Sequence, residues 1–282
     1  PMYYYACIYE KVDCGIMITA SHNPKEDNGL KFAFKDYLNA KGEEITDFYK
    51  ETIKGDFLDG VGSVKKINVK KEYFNAIKEG LRFGDKRIKA VLDPGNGTTS
   101  IILKELYSMF PIDFTIINGK SDGTFPNHHP DPSIEANLEQ LKKKVLETGA
   151  DIGVSFDGDG DRVGVITNEG KFLACDYYMI LIIRDIIDKV KNKTFLYDVK
   201  CSKSLEDEII KLGGNPVCYR TGNSYTRSRV AELDMPFGGE LSGHVYFRDR
   251  FLGFDSGLYA GLRIIELLSR NSKNITELLS GI

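Results

Sequence analysis

The chain has 282 residues, more than the usual single domain of about 150, which points to two or more domains with room for a sizeable core. Hydrophobic residues make up 41% and charged residues 28%, the balance of an ordinary globular protein, and a net charge of -3 argues against a nucleic-acid-binding surface. The longest apolar stretch, residues 177–183, stops at Arg184 and is too short to span a bilayer, while five cysteines, odd in number and never in a C-x-x-C pair, predict reduced thiols in a cytoplasmic protein.

In chain order, residues 3–12 have the character of a short helix, and 15–19 form an apolar strand-like run feeding Thr19-Ala20-Ser21-His22-Asn23-Pro24. A strand that opens into a polar loop is where α/β proteins place chemistry. After Lys31-Phe32-Ala33-Phe34 the chain is charged and loosely patterned, with Gly55, Gly60 and Gly62 as punctuation, and a domain boundary is expected near Val69. From Lys71 the pattern becomes regular: a helix over about 71–81, a strand at 90–93, the turn Pro94-Gly95-Asn96-Gly97, a helix from about Thr98, a strand at 114–118 and a proline-rich loop through Pro132. A helix over 133–148, a strand at 151–156, an acidic loop and a return strand at 163–166 complete this round.

A second round has the same order. Its elements are a helix over 175–190, a strand at 194–199, a helix from Ser202, a strand at 216–220, a helix near 224–233, a turn at 238–244, a strand at 245–248 and a helix over 255–269. Strands alternating with helices predict an α/β protein of repeated α/β/α domains with mixed, mainly parallel sheets, divided as 1–69, 70–172 and 173–282. Asp93 then corresponds to Asp198, Asn118 to about Arg220, and the acidic loop to the turn at 240–244, an internal repeat of roughly 100 residues.

Three loops carry chemistry. In Asp157-Gly158-Asp159-Gly160-Asp161-Arg162, carboxylates at i, i+2 and i+4 with glycines between them can close round a hard divalent cation, and oxygen-only ligands suit Mg²⁺ or Ca²⁺ rather than zinc, with Mn²⁺ also accepting carboxylate oxygens. An EF-hand starting at Asp157 would need Gly at its sixth position and Glu at its twelfth, where the chain has Arg162 and Asn168. A solvated acidic turn is the plain alternative, although carboxylates packed this closely repel one another without a cation. Ser21, beside His22 and ten residues before Lys31, is either a turn residue or a nucleophile with bases close by. In Glu240-Leu241-Ser242-Gly243-His244, a carboxylate, a hydroxyl and an imidazole suit the vicinal hydroxyls of a sugar, and Lys200, Arg220 and Asn223 at neighbouring strand ends would favour an anionic ligand in the same crevice.

Together these loops resemble the α-D-phosphohexomutase superfamily: residues 19–24 its phosphoserine loop, 157–162 its magnesium loop and 239–244 its sugar-binding loop. Phe125-Pro126-Asn127-His128-His129-Pro130-Asp131-Pro132 and Asp198-Val199-Lys200-Cys201 look most like the phosphomannomutase/phosphoglucomutase branch, with Leu241 where phosphoglucosamine mutases tend to carry Gln. The resemblance implies that phosphorylated Ser21, charged by a glucose 1,6-bisphosphate-type activator, exchanges its phosphoryl group with a hexose phosphate through a bisphosphorylated sugar. Mg²⁺ would be held by Asp157, Asp159, Asp161 and a phosphoserine oxygen. His22, Lys31 and Arg162 would act at the phosphoryl group, and Lys200, Arg220, Asn223, Glu240, Ser242 and His244 would hold the sugar phosphate. Asn223 departs from the His of close relatives, and an amide cannot take up a proton.

Family members run to about four domains. The chain is therefore expected to begin partway through the first and stop after the third, without the C-terminal phosphate-binding loop. Three outcomes stay open on this reading: a mutase acting on mannose, glucose or glucosamine phosphates, a phosphatase, or a weakly active phosphosugar- and metal-binding module. The expected partner is the hexose phosphate alone, with no nucleic acid and no membrane, and the expected assembly is a monomer or weak homodimer.

Overall fold

The computed structural model describes residues 1–34 and 37–282; Lys35 and Asp36 lie outside the described residues. Helix α1 (Met2–Glu10) leads into the hairpin of β1 (Gly15–Ile18) and β2 (Leu30–Ala33), which pair antiparallel with Ile18 opposite Leu30. Residues 19–29 hang between these strands, so the hairpin presents Ser21 on a loop rather than in a strand.

The stretch expected to be loosely patterned instead contains a helix, α2 (Gly42–Lys54). Glu44 accepts from the Lys41 N–H at 2.7 Å, Lys50 and Lys54 pair three residues back with Asp47 and Glu51, and Gly55 ends the helix with a left-handed φ of 69°. Its Phe48 ring packs on Phe32 and Phe34 with centroids 5.4 Å away from each, and none of its residues is buried. The sequence reading overlooked Ile45, Phe48, Tyr49 and Ile53 because their helical spacing is set among charges.

The next segment runs α3 (Lys70–Glu79), β3 (Ile88–Asp93), α4 (Leu103–Tyr107), β4 (Ile112–Ile116), α5 (Glu139–Thr148), β5 (Ile152–Phe156), β6 (Val163–Thr167) and β7 (Phe172–Leu173). Its sheet has the order β4-β3-β5-β6-β7, parallel through β5 and antiparallel beyond. The last segment runs α6 (Cys175–Ile186), β8 (Thr194–Asp198), α7 (Lys203–Lys211), β9 (Asn215–Tyr219), α8 (Asn223–Glu232), β10 (Phe237–Gly239), β11 (Val245–Phe247), α9 (Gly257–Ser269) and α10 (Ile275–Leu278). Its order β9-β8-β10-β11 reproduces β4-β3-β5-β6, again with an antiparallel final pair. The acidic loop and the Glu240 turn are thus the same hairpin in two copies of one topology. β7 and α10 were not anticipated, because two and four residues carry no readable period.

Expecting each repeat to be a small unit of its own missed the part played by α9. Every residue of this helix is buried, because it packs against β3, β5 and β6 of the first repeat and against α6, and its Tyr259 ring meets Phe247 of β11 with centroids 5.3 Å apart. Tyr107 donates to the Leu258 carbonyl at 3.3 Å, the Arg82 N–H donates to Glu266 at 2.9 Å, and a Cβ on Gly261 would lie 2.7 Å from the Tyr107 hydroxyl and 2.9 Å from Val154. The fully buried Arg263 is paired with Asp249 at 2.7 Å. The two repeats therefore share one continuous core, and their hairpin loops are held at a fixed separation. No helix among the described residues is long and apolar enough to cross a membrane.

Candidate active site

The acidic loop leaves the end of β5 and is buried throughout: Asp157, Asp159 and Asp161 are each less than 9% exposed, and carboxylate oxygens of all three lie within 4.8 Å of one another. Their positions come from backbone constraints. Thr98 donates to the Gly158 carbonyl at 2.9 Å, the Gly257 N–H donates to the Gly160 carbonyl at 2.9 Å, and the Arg162 N–H donates to Asp157 at 3.1 Å. Gly158 is required by close approach, since a Cβ there would sit 2.1 Å from the Ser21 carbonyl oxygen.

That contact brings the serine loop onto the triad. Ser21 itself has φ 54°, a left-handed conformation unusual for a residue with a side chain, and its N–H is tied to the Thr19 hydroxyl at 2.9 Å. Its hydroxyl is placed to donate to Asp157 at 2.9 Å or Asp159 at 3.1 Å. Thr19 adds a hydrogen bond to Asp159 at 3.0 Å.

Charge in this cluster is unevenly balanced. Lys31 reaches Asp159 at 2.8 Å and Asp161 at 2.6 Å. Burial works to lower the Lys31 pKa, but Asp161 and Asp159 outweigh it and hold the ammonium protonated far above its ordinary range. Asp157 has no such partner: burial, then repulsion from Asp161 and Asp159, pushes its carboxyl well above the usual range. Among the described residues, Asp161 Oδ1 is buried with no hydrogen-bond partner. Three hard carboxylates, an adjacent serine hydroxyl, one orphaned oxygen and one carboxyl starved of positive charge together fit a divalent cation.

Around the triad run the imidazoles and Arg162. The Arg162 Nε–H donates to His244 Nε2 at 3.0 Å, and its terminal nitrogen faces His22 Nε2 at 3.3 Å. Because a guanidinium only donates, both Nε2 atoms must accept, which places each imidazole hydrogen on Nδ1. His22 then points its Nδ1–H at the Ser21 hydroxyl, 3.3 Å away, and burial followed by the Arg162 charge lowers its pKa. Two residues that were not among the expected site residues complete the ring. Asp131, anchored by Ser133, lies 4.0 Å from Arg162, and Asp255 accepts from His244 Nδ1 at 2.9 Å and from the Asn223 amide. Asp131 sat in a recognisable Pro-Asp-Pro run, whereas nothing in the sequence around Asp255 signals a role.

The Glu240 turn faces the same space. Glu240 is 2% exposed and accepts from the Gly222 N–H at 3.0 Å, Thr226 at 2.6 Å and Ser242 at 3.1 Å. Its loop is joined to the acidic loop through Val163 N–H donating to the Gly243 carbonyl at 3.2 Å. The buried Asp198 sets the loop from below, accepting from the Leu241 N–H at 3.0 Å and Thr221 at 2.6 Å, as Asp93 does for its own repeat with Gly95 at 2.9 Å and Asn118 at 3.1 Å. A crevice of about 500 Å³ is lined by His22, Arg162, Lys200, Asn223, Glu240, Ser242 and His244, and Ser21 and Lys31 line an adjoining one of about 320 Å³. Arg220 lies outside both, with its guanidinium stacked 3.8 Å above the Tyr225 ring. Asn223 is held by both of its amide atoms, its oxygen accepting from Asn39 at 2.9 Å.

Duplicated α/β/α layers whose equivalent hairpins present a carboxylate triad and a Glu-Leu-Ser-Gly-His turn, with a serine loop laid across them, define the class of fold. Models of phosphoglucomutase/phosphomannomutase α/β/α domains I, II and III match residues 1–59, 71–170 and 174–282 in that order. The chain belongs to the phosphoglucomutase/phosphomannomutase family, within the α-D-phosphohexomutases. It is 36% identical over 280 residues to the phosphomannomutase/phosphoglucomutase of Pseudomonas aeruginosa, covering 99% of this chain and 60% of that one. It is also 36% identical over 284 residues to the phosphoglucomutase of Neisseria meningitidis, covering 100% of this chain and 61% of the relative. Among solved structures, a phosphoglucomutase/phosphomannomutase family protein from Burkholderia thailandensis superposes with a TM-score of 0.90 at 35% identity, covering 95% of this chain and 58% of that one. The chain thus spans about 60% of the length of the curated relatives it matches.

Proposed function

We propose that this chain carries the phosphoryl-transfer site of a magnesium-dependent phosphohexomutase that interconverts hexose 1-phosphates and hexose 6-phosphates of the mannose or glucose series. The carrying observation is the Ser21 hydroxyl, 2.9 and 3.1 Å from two carboxylates of a buried triad and beside the crevice formed by the Glu240 turn. Asp157, Asp159 and Asp161 with a Ser21 phosphate oxygen would hold Mg²⁺, which supplies charge neutralisation for the transferring group.

The chain's own residues do the rest. The bond between phosphorus and Ser21 Oγ breaks as a new one forms to the sugar oxygen, and the proton lost by the sugar hydroxyl is balanced by the proton taken up at the freed Ser21 Oγ. Reorientation of the bisphosphorylated sugar then lets the other phosphate return to Ser21. Lys31, which reaches Asp159 at 2.8 Å and Asp161 at 2.6 Å, contacts the phosphoryl group or moves a proton at the reacting hydroxyl. Arg162 faces the transferring group, and His22 holds the serine oxygen. Glu240 and Ser242 accept and donate to sugar hydroxyls in either orientation, Lys200 supplies a cation at the crevice edge, and Asn223 and His244 line it. Free Cys14 and Cys218 at the surface support a reducing, cytoplasmic setting.

Incubation with Mg²⁺ and glucose 1,6-bisphosphate, followed by phosphopeptide mapping with free phosphate monitored, tests this reading. Label on Ser21 that passes to a hexose monophosphate and is absent from Ser21→Ala supports it. Label lost only as free phosphate, or none at all, overturns it.

A further inference from the structure

Asp255 has no assigned part in the site, yet its position is among the most constrained in the molecule. It is fully buried, its backbone bridges Tyr246, and it immediately precedes Ser256, which caps α9 by accepting from the Tyr259 N–H at 3.2 Å. One carboxylate oxygen, Oδ2, receives both the His244 Nδ1–H at 2.9 Å and the Asn223 amide, and Asn223 in turn receives the Asn39 amide at 2.9 Å. Among the described residues Oδ1 is buried with no partner, so the side chain is oriented by His244 and Asn223 alone.

A carboxylate facing Nδ1 dictates where the imidazole hydrogen sits. With Nδ1 protonated, Nε2 keeps a lone pair, and that lone pair receives the Arg162 Nε–H at 3.0 Å. One terminal nitrogen, Nη1, is thereby turned toward His22 at 3.3 Å and Asp131 at 4.0 Å. With the opposite tautomer, Nε2–H would meet Nε–H, and the guanidinium would have to swing away.

Resting on the reading of Arg162 as a phosphoryl contact, we infer that Asp255 is a positioning residue that aims the Arg162 guanidinium at Ser21 by fixing the tautomer of His244. Asn223 steadies Asp255 through its amide, a task that needs no proton uptake. Asp255→Asn is the informative change. Its amide either turns an N–H₂ toward two donors or buries that group in the slot of the unpartnered oxygen, and both remove the carboxylate 2.9 Å from His244 Nδ1 and leave it facing Asp161 at 3.6 Å.

The test joins two readouts on the full chain. Long-range ¹H–¹⁵N spectra of the four histidines, with His244→Gln for assignment, report the tautomer directly. Intact-mass kinetics of Ser21 phosphorylation by glucose 1,6-bisphosphate with Mg²⁺ report the transfer rate. The expected result is a wild-type His244 protonated on Nδ1, a changed tautomer in Asp255→Asn, and a rate lower by about 10- to 100-fold at saturating bisphosphate. Asp255→Glu, which restores the anion, should recover part of the rate. A wild-type His244 protonated on Nε2 overturns the inference even if no variant folds. So does an unchanged rate in Asp255→Asn, or a slowed one with the tautomer intact. If the wild-type chain takes up no phosphoryl group, the mutase reading fails, while the spectra still decide whether Asp255 sets His244.

Discussion

Gly158→Ala isolates the contact on which the site depends. The new Cβ would sit 2.1 Å from the Ser21 carbonyl oxygen, whereas ordinary contact begins at 3.4 Å, so the two loops must part by about 3.4 − 2.1 = 1.3 Å. Gly158 is fixed by the Thr98 hydrogen bond at 2.9 Å and by the buried strand behind it, while the serine loop is half-exposed. The serine loop is the side that yields. Adding 1.3 Å along the 2.9 Å hydrogen bond from Ser21 to Asp157 takes it beyond hydrogen-bonding range. A displacement of about 1 Å at a reacting group can cost on the order of 100-fold in rate. Because relief comes from a surface loop, stability should fall only to the lower end of the overpacking range, about 1 kcal/mol. Ser21 phosphorylation measured by intact mass, with the melting midpoint alongside and the unencumbered Gly62→Ala as control, checks both numbers. Phosphorylation of Gly158→Ala at the wild-type rate would refute the argument that this approach sets the nucleophile's position.

Lys31→Met removes the cation facing Asp159 and Asp161, and breaking such a mostly buried pair should cost about 3 kcal/mol without metal, with Mg²⁺ restoring more of the melting midpoint than it adds to the wild type. Equal midpoints for the two proteins in chelator would show that Lys31 does not balance the triad. For His128, burial lowers the pKa but the Asp93 hydrogen bond at 2.9 Å and its charge outweigh it, so the folded value lies above the ordinary 6.5. That contribution is complete below the unfolded pKa and is lost as pH rises through the folded one. Urea unfolding should therefore show the wild type exceeding His128→Gln by more at pH 6 than at pH 8.5, and an equal margin at both would contradict the pairing. Gly261→Val wedges a side chain against Tyr107 and Val154 and should destabilise both repeats together by about 1–3 kcal/mol, seen as a single shifted urea transition. Separation into two transitions with only one moved would argue against a shared core.

The amino-acid sequence by itself determined the elements that depend on local order: the β/α alternation, the oxygen donors spaced along residues 157–161, the serine at a strand end, and the Glu240 turn. Each is a short run whose periodicity or spacing is complete within a few residues, so the repeat order β4-β3-β5-β6 and β9-β8-β10-β11 could be anticipated from two similar rounds of pattern. Helix α2 was obscured because its apolar residues are set among charges and none of them is buried, which leaves no hydrophobic run. Only the tertiary structure decided what those pieces meet. Arg220 reads as a crevice cation by its place after a strand, whereas its guanidinium stacks on the Tyr225 ring. Asp255 lies far along the chain from Arg162, and its relation to that residue exists because its backbone bridges back to Tyr246 near His244, which itself bridges Arg162 of the other repeat, pairings that no local spacing encodes. The distances around Ser21 are likewise set by Gly158 and Gly257 meeting backbone from other segments. A sequence lists candidate ligands and hydroxyls, but close packing of distant segments orients them, and orientation is what brings a carboxylate cluster and a serine into one site.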